Sequence, residues 1–224
     1  MEVVYEDNHI IVVNKRSGEI VQGDKTGDTP LSEMVKHYIK EKYHKPGEVF
    51  LGVVHRLDRP VSGLVIFART SKALSRLNKM FAEGEVHKTY WAVVEKAALP
   101  MASSALLTHW LTRNEQQNKS YAYDHEVRGS KKAQLRYTVI GQGDRYSLLE
   151  VQLLTGRHHQ IRCQLSAVGC PIRGDLKYGA RRSNPDGSIS LLARRIEFVH
   201  PVSRQPLTIE APLPDGPLWQ LGTK

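Results

Sequence analysis

The sequence predicts an α+β fold whose central, mixed β-sheet is mostly antiparallel and is flanked by helices and loops. Strand-like and helix-like patterns follow one another in mixed order, without a regular βαβ alternation. Most predicted strands are neighbours joined by turns, as at Gln142-Gly143-Asp144. No repeat and no Pro/Gly-rich linker divides the 224 residues, so we expect one domain over residues 1–224.

Apolar spacing places the individual elements. The first helix is predicted to start with Thr29 as N-cap and Pro30 at the first helical position. The second and third helices are predicted over Ser71–Glu83, ending at Gly84, and over Arg157–Ala167, ending at Gly169. Strands are predicted at Val3–Tyr5, Ile10–Asn14, Leu64–Ala68, in "HKTYWAVVEK", "SALLTHWLTR", "AQLRYTVIG" and "YSLLEVQLL", and at Ile189–Val199 and Leu207–Glu210.

Charge is the unusual bulk property. Lys and Arg number 32 against 23 for Asp and Glu, which gives a net charge of +9 and a pI near 9.6. Such an excess favours a polyanionic partner, either an acidic membrane surface or nucleic acid, and we favour nucleic acid. The acidic N-terminus and the lack of a long apolar run predict a cytoplasmic protein without a membrane span.

No motif indicates a metal or a nucleotide cofactor. The two cysteines, Cys163 and Cys170, fit neither a zinc pattern nor a disulfide framework. His158 and His159 are adjacent, which places them on different sides of a helix and excludes the i, i+4 spacing of a zinc site. There is no G-x-G-x-x-G or Walker pattern, so we expect the protein to use no cofactor.

The stretch "HRLDRPVSG" places Asp58 between Arg56 and Arg59, directly before an apolar strand. Neighbouring guanidinium groups favour an ionised carboxylate, which suits a nucleophile or a general base better than a proton donor. The alternative is a surface ion pair of little energetic value. Pro60 and Gly63, in a turn next to a buried strand, indicate that Asp58 lies on a rigid scaffold.

Two other residues are candidates for chemistry. Arg162 is predicted to reach inward from a short helix, where a buried guanidinium needs a carboxylate such as Asp58. Tyr90, in "KTYWAVV", offers a flat ring with a polar tip that suits stacking on a base. The alternatives are a solvent-facing arginine and an ordinary core tyrosine.

These stretches together resemble the RluA-type RNA pseudouridine synthases. The similar segments are "VVYEDNHIIVVNKRSG", "HRLDRPVSGLVIFART", "KTYWAVV", "LLTGRHHQIRCQLSAVGCPIRGDLKYG" and "LLARRIEFVHPVSRQPLTIEAPLP", in the family's order and over nearly the whole chain. The chain departs from the family's pattern at Arg16, His158, Gln164 and Leu192, where proline, threonine or serine, histidine and histidine are usual. None of these positions is a candidate catalytic residue.

The resemblance implies the pseudouridine synthase fold and the conversion of uridine to pseudouridine in structured tRNA or rRNA, without cofactor or metal. Asp58 matches the catalytic aspartate, and Tyr90 matches the tyrosine that packs on the target uracil. Arg162 matches the arginine that pairs with the aspartate, and Arg56 matches the arginine that fills the place of the flipped nucleotide. Base flipping is what chemistry on a stacked base requires.

The remaining predicted contacts are with RNA. The polar, basic segment 114–132 is expected to be a long loop or a hairpin that binds RNA, because the sequence reads as a stand-alone catalytic domain without the N-terminal RNA-binding domain of many relatives. We expect a monomer. The predicted substrate-binding residues beside Arg56 are His55, Leu57, Arg157, His159, Gln160, Lys119, Lys131 and Lys132.

Two other classes of function stay open at this point. One is a non-catalytic RNA-binding or RNA-folding factor on the same scaffold, for which an acid close to phosphates has no use. The other is a nucleosidase-like hydrolase, which would want a second carboxylate placed beside Asp58. The sequence does not indicate which RNA or which uridine is recognised.

Overall fold

Residues 1–97 and 101–221, which the computed structural model describes, form an α+β structure. Every strand pair with a described register is antiparallel, and the predicted fold class is confirmed. The strands are β1 (Glu2–Glu6), β2 (Ile10–Lys15), β3 (Gly52–Val53), β4 (Ser62–Ala68), β5 (His87–Glu95), β6 (Ser104–Asn114), β7 (Lys119–Tyr123), β8 (Lys131–Gln142), β9 (Tyr146–Leu153), β10 (Leu191–Val199) and β11 (Pro206–Glu210). The α-helices are α1 (Leu31–Lys42), α2 (Ser71–Ala82) and α3 (Gln160–Ala167).

The chain divides into two compact units. The first unit consists of Met1–His87 with Ala193–Ala211, and the second consists of Lys88–Leu192 with the segment that starts at Pro212. The expectation of one domain over residues 1–224 stays a prediction. No helix within the described residues is both long and apolar enough to cross a membrane.

In the first unit, strands β1, β2, β4 and β10 are neighbours in that order, β11 pairs with β10, and β3 pairs with β4. Residues 10–13 of β2 and 64–68 of β4 are fully buried on both strand faces, which explains their continuous apolar runs. Helix α2 packs on β3 and β4, and its N-cap is Thr70, whose side chain accepts a hydrogen bond from the Ala73 N–H. Strands β3 and β4 form the scaffold for the Asp58 loop, which connects them.

The second unit has the strand order β5-β9-β8-β6-β7. Helix α3 contacts β6 and β7, and a short 3₁₀ turn, Leu176–Tyr178, contacts α3. One core cluster consists of Leu111, Ala133, Cys163 and Tyr178, so it joins β6, β8, α3 and the 3₁₀ turn. The basic segment 114–132 is a hairpin, because β6 turns at residues 115–118 and returns as β7.

Helix starts are where the sequence predictions fail. Helix α1 begins at Leu31, with Pro30 as N-cap and without a side-chain capping bond, so the assignment of Thr29 as N-cap was wrong by one residue. Helix α3 begins at Gln160 and not at Arg157, because His159 has the left-handed value φ 51°. Helix α3 buries all six residues from Gln160 through Leu165, whereas Val168 at its end is exposed.

Candidate active site

Asp58 lies on the loop between β3 and β4, and this loop is bonded to the end of β2 through its main chain. The Lys15 ammonium group donates to the carbonyl oxygens of Arg59 (3.1 Å) and Val61 (2.6 Å). The Ser17 hydroxyl donates to the Pro60 carbonyl (3.1 Å), and the Gly18 N–H donates to the Arg59 carbonyl (2.8 Å). These four bonds attach the Asp58 loop to the end of β2 without using the carboxylate, and the rigidity of the loop stays a prediction.

Lys15 is the residue of this loop support that sequence reasoning missed. Its side chain is 1% exposed, and burial lowers its pKa to about 8, although Glu19 and Asp58 act in the opposite direction. A buried ammonium group needs hydrogen-bond acceptors, and Lys15 finds them in the carbonyls of the Asp58 loop and of Arg16. The sequence feature that could have indicated this role is a lysine that directly continues the apolar run "IIVVN". In the structure, Lys15 is paired in register with Gly63.

Gly63 fixes how closely β10 approaches this loop. Its φ is +113°, and a Cβ placed on it would lie 2.4 Å from the Ala193 carbonyl oxygen of β10. A side chain at this position would therefore displace either the strand or the end of the Asp58 loop. The Ser-Gly that closes the "HRLDRPVSG" stretch is required by close packing.

The other residues of the Asp58 loop are of two kinds: some pack against the protein and one is exposed to solvent. The His55 ring stacks on Phe81 with 4.9 Å between ring centroids, and its Nε2 accepts the Ile66 N–H at 3.0 Å. Leu57 is buried, whereas Arg56 is exposed. Contacts of His55, Leu57 and Arg56 with RNA stay predictions, and only Arg56 presents its side chain to solvent.

Arg59 has an ion pair of its own, because its guanidinium group donates to the Asp28 carboxylate. Both side chains are about half exposed, so solvent screens this pair and its contribution to stability is small. In the described structure, Asp28 is therefore an ion-pair partner of Arg59.

In the second unit, Tyr90 lies on β5 opposite Val151 of β9. The tyrosine is 7% exposed, and its neighbours Ala92 and Val93 are fully buried. Its role as the residue that packs on uracil is not tested by this placement and stays a prediction.

Arg162, on α3, is fixed through its side chain. Its Nε donates to Oδ2 of Asp175 at 2.7 Å, and its Nη2 donates to Oδ1 at 2.9 Å. The two side chains are 6% and 2% exposed, and the guanidinium group also lies 5.0 Å from the centre of the Tyr178 ring. The predicted inward orientation of Arg162 is confirmed, and its predicted pairing with Asp58 stays a prediction.

Asp175 and Tyr178 are the second set of residues that sequence reasoning missed. Asp175 directly precedes the 3₁₀ turn Leu176–Tyr178 and Tyr178 ends it, and Gly174 before them has φ +88°. A Cβ on Gly174 would lie 2.7 Å from the Ser188 carbonyl oxygen, so glycine is needed for Asp175 to enter this turn. The available signal was the aspartate and tyrosine of "GDLKYG", within the last segment of the third motif.

His159 and Tyr178 are joined by a hydrogen bond between two buried, neutral groups. Burial, with Arg162 next in effect, lowers the pKa of His159 to about 2, and burial raises that of Tyr178 to about 12. His159 is therefore a neutral ring and Tyr178 keeps its proton, with Nδ1 of His159 lying 2.8 Å from the Tyr178 hydroxyl oxygen. The Tyr178 oxygen in turn accepts the Ser120 N–H at 2.8 Å, which connects β7 to the start of α3.

The two adjacent histidines do not point to different sides of a helix, as the sequence suggested. Their rings stack, with centroids 3.7 Å apart and an interplanar angle of 22°. The prediction was wrong because α3 starts after His159, whose left-handed backbone turns both rings the same way. Nδ1 of His158 lies 2.8 Å from the Ser120 hydroxyl oxygen, so both histidines hold β7 against α3.

The remaining predicted RNA-binding residues all lie in the second unit. Gln160 is 3% exposed and uses its amide inside the protein: Oε1 accepts from Thr155 and from the Arg157 N–H, and Nε2 donates to the Gln134 carbonyl. Arg157 is exposed, and its Nε donates to the Lys132 carbonyl at 3.0 Å. Lys131 and Lys132 are exposed, whereas Lys119 is partly buried, 5.4 Å from the Tyr178 ring centre.

Comparison with known proteins identifies the family. Residues 9–167 match the family model for RNA pseudouridylate synthase, and this range contains Asp58, Tyr90 and Arg162. The chain belongs to the RNA pseudouridylate synthase family. This membership confirms the resemblance that the motifs indicated. The family match covers residues 9–167, which is most of the chain.

Curated relatives and a solved structure agree with this membership. The tRNA pseudouridine synthase C of Pectobacterium carotovorum subsp. carotovorum is 31% identical over 98% of this chain and 60% of its own length. The ribosomal large subunit pseudouridine synthase C of Vibrio vulnificus is 31% identical over 94% of this chain and 65% of its own. The chain therefore spans about three fifths to two thirds of these relatives' length.

The fold is shared with the structure of human RNA Pseudouridylate Synthase Domain Containing 4. That structure superposes with a TM-score of 0.77, at 23% identity, over 95% of this chain and 88% of its own. The pseudouridine synthase fold is thereby confirmed for this chain.

Proposed function

We propose that this protein converts uridine to pseudouridine in tRNA or rRNA, with Asp58 as the nucleophile. The observation that carries the proposal is the Asp58 loop, which is fixed by its main chain at the end of a buried strand. Family membership supports the reaction class, and the names of the curated relatives support tRNA or rRNA as the substrate class.

The reaction is an isomerisation, so its atoms balance without an external reactant. The bond between ribose C1′ and uracil N1 breaks, and a bond between C1′ and C5 forms. N1 gains a proton, and the proton on C5 leaves. Asp58 would attack either the anomeric carbon or the uracil ring, after the target nucleotide has been flipped out of its stack.

Each remaining residue has a proposed role. Tyr90 packs on the flipped uracil and assists removal of the C5 proton. Arg162, held by Asp175, presents its guanidinium group to Asp58 and keeps that carboxylate ionised. Arg56, whose side chain is exposed, enters the place that the flipped nucleotide leaves.

Loss of the C5 proton provides the assay. Purified protein is incubated with unmodified tRNA and rRNA transcripts that carry tritium at C5 of uridine, and released tritium is counted. Asp58→Asn should lower the rate at least about a thousand-fold, as expected when a nucleophile that acts in concert with its neighbours is removed. Asp24→Asn, at an exposed position of the same unit, is the matched control and should keep the wild-type rate.

Three outcomes would contradict the proposal. Full activity in Asp58→Asn would exclude this carboxylate as the nucleophile. Free uracil in place of pseudouridine would show hydrolysis of the glycosidic bond, and RNA binding with no change in the RNA would show a non-catalytic factor.

A further inference from the structure

The second unit contains a cavity of about 270 Å³. It lies on the sheet face that packs on α3, at the point where the apolar residues of that face end. Leu111 of β6 and Ala133 of β8 are buried on this face. Side chains alternate along a strand, so Arg113 shares the face of Leu111, and Lys131 shares that of Ala133. Both cations line the cavity, and the register pairs Leu111 with Lys131.

The opposite wall is the turn that leads into α3, formed by Gly156, Arg157 and His158. Arg157 is held on both sides of its Cα: its N–H donates to Gln160 Oε1 at 2.9 Å, and its Nε donates to the Lys132 carbonyl at 3.0 Å. The Arg157 guanidinium group, a third cation, is thus fixed next to the first residues of β8.

The lining has the chemistry of an anion site. Its charged side chains are Arg113, Lys131 and Arg157, it includes the hydroxyl-bearing Ser120, and among the described residues none in its lining carries a carboxylate. Pockets for drug-sized ligands measure roughly 300–1,000 Å³, so this one suits a smaller group. Guanidinium groups match the oxygens of phosphate in a two-point fashion, which favours phosphate over a simple halide.

Glycine leaves one side of the cavity accessible. Gly129, in the segment between β7 and β8, has φ +77°, and a Cβ built on it would meet nothing within 4 Å. A group on a long polymer can approach from this side without displacing a side chain.

We propose that this cavity binds one phosphate group of the RNA backbone through Arg113, Lys131 and Arg157. The site rests on the proposed function, since it names where the substrate strand is held. A phosphate contact carries no sequence information but fixes register. Because Ser120 in the cavity wall is bonded to Tyr178, and Tyr178 to His159, the bound strand is registered against the helix that carries Arg162.

Salt dependence of binding tests the site. Affinity for a 15-nucleotide RNA of mixed sequence is measured over a range of KCl concentrations with Arg113→Gln, Lys131→Gln and the wild type. Loss of one phosphate contact should reduce the slope of log K against log salt by about 0.7 for single-stranded RNA. Arg136→Gln is the matched control, because Arg136 is exposed on the other face of β8 and should leave the slope unchanged.

A second measurement needs no variant. Inorganic phosphate titrated into the wild-type protein should shift the backbone amide resonances of Gly129 and Gly156. Slopes for Arg113→Gln and Lys131→Gln equal to that of Arg136→Gln, or unshifted glycine resonances, would overturn the site while tritium release continued to support the proposed function. Absent tritium release with shifted resonances would remove the proposed function and leave an anion site.

Discussion

The Asp58 loop and the Arg162 helix hold their charged residues in opposite ways. In the first unit, Lys15, Ser17 and Gly18 bond to main-chain carbonyls around Asp58. In the second unit, Arg162 is gripped by its side chain, through two hydrogen bonds to Asp175 and the face of Tyr178.

The difference follows from burial. Asp58 is partly exposed, and the bonds that hold its loop are made by main-chain carbonyls of neighbouring residues rather than by its carboxylate. Arg162 is 5% exposed, and a guanidinium group taken out of water needs a counter-charge within the fold. Removing a support should therefore act mainly on geometry in the first unit and on folding free energy in the second.

The largest effect is expected from Asp175→Asn. This change keeps the shape of the side chain and removes the negative charge that accepts two hydrogen bonds from the buried Arg162. Breaking a buried pair in this way costs about 3–5 kcal/mol of unfolding free energy. Urea denaturation followed by circular dichroism measures the cost, and Asp28→Asn, which breaks the exposed pair with Arg59, should cost under about 1 kcal/mol. Equal costs in the two variants would contradict the comparison.

Lys15→Met should lower activity as well as stability. Methionine fills the buried volume but leaves the Val61 carbonyl without its 2.6 Å donor, at a cost of up to about 3 kcal/mol. A misplacement of a reacting group by about 1 Å can cost about 100-fold in rate, so tritium release should fall by roughly that factor. The exposed Lys25→Met serves as control. An unchanged rate in a destabilised Lys15→Met protein would show that the loop keeps its geometry without the lysine.

These supports mark the limit of what the sequence could predict. Strands such as β4 and β5 and the inward orientation of Arg162 follow from apolar runs and motif order, and they were predicted. Lys15, Asp175 and Tyr178 act through partners that are distant along the chain, such as Lys15 on Val61, and a single sequence does not show such pairs. The start of α3 was misplaced because the left-handed backbone of His159 is stabilised by its tertiary contact with Tyr178.

His159→Asn should flatten the acid sensitivity of the second unit. The folded protein holds the pKa of His159 near 2, whereas the unfolded chain takes up a proton near pH 6.5. The unfolded state therefore binds more protons as pH falls, and His159 lowers stability by about 2 kcal/mol between pH 7 and pH 5. Asparagine accepts the left-handed backbone and carries no titratable group. The unfolding free energy is measured at pH 7 and at pH 5. Its drop between these pH values should be about 2 kcal/mol smaller in His159→Asn than in the wild type or in the exposed control His37→Asn.

Tyr178→Phe is expected to have the smallest effect. It distinguishes the role of the Tyr178 ring and Asp175 in placing Arg162 from the role of the Tyr178 hydroxyl. Phenylalanine keeps the ring that faces the guanidinium group, so the Asp175 pair should persist. It removes the oxygen that accepts the Ser120 N–H and that is hydrogen-bonded to Nδ1 of His159, at a cost of about 1 kcal/mol. Because those bonds join the hairpin to α3, we expect KM for the RNA to rise while kcat changes less. Tyr121→Phe, which loses only an exposed bond to Gln117, is the control. If both variants gave the same KM and kcat, the hydroxyl of Tyr178 would contribute nothing to how the hairpin is held, and the ring with Asp175 would suffice to place Arg162.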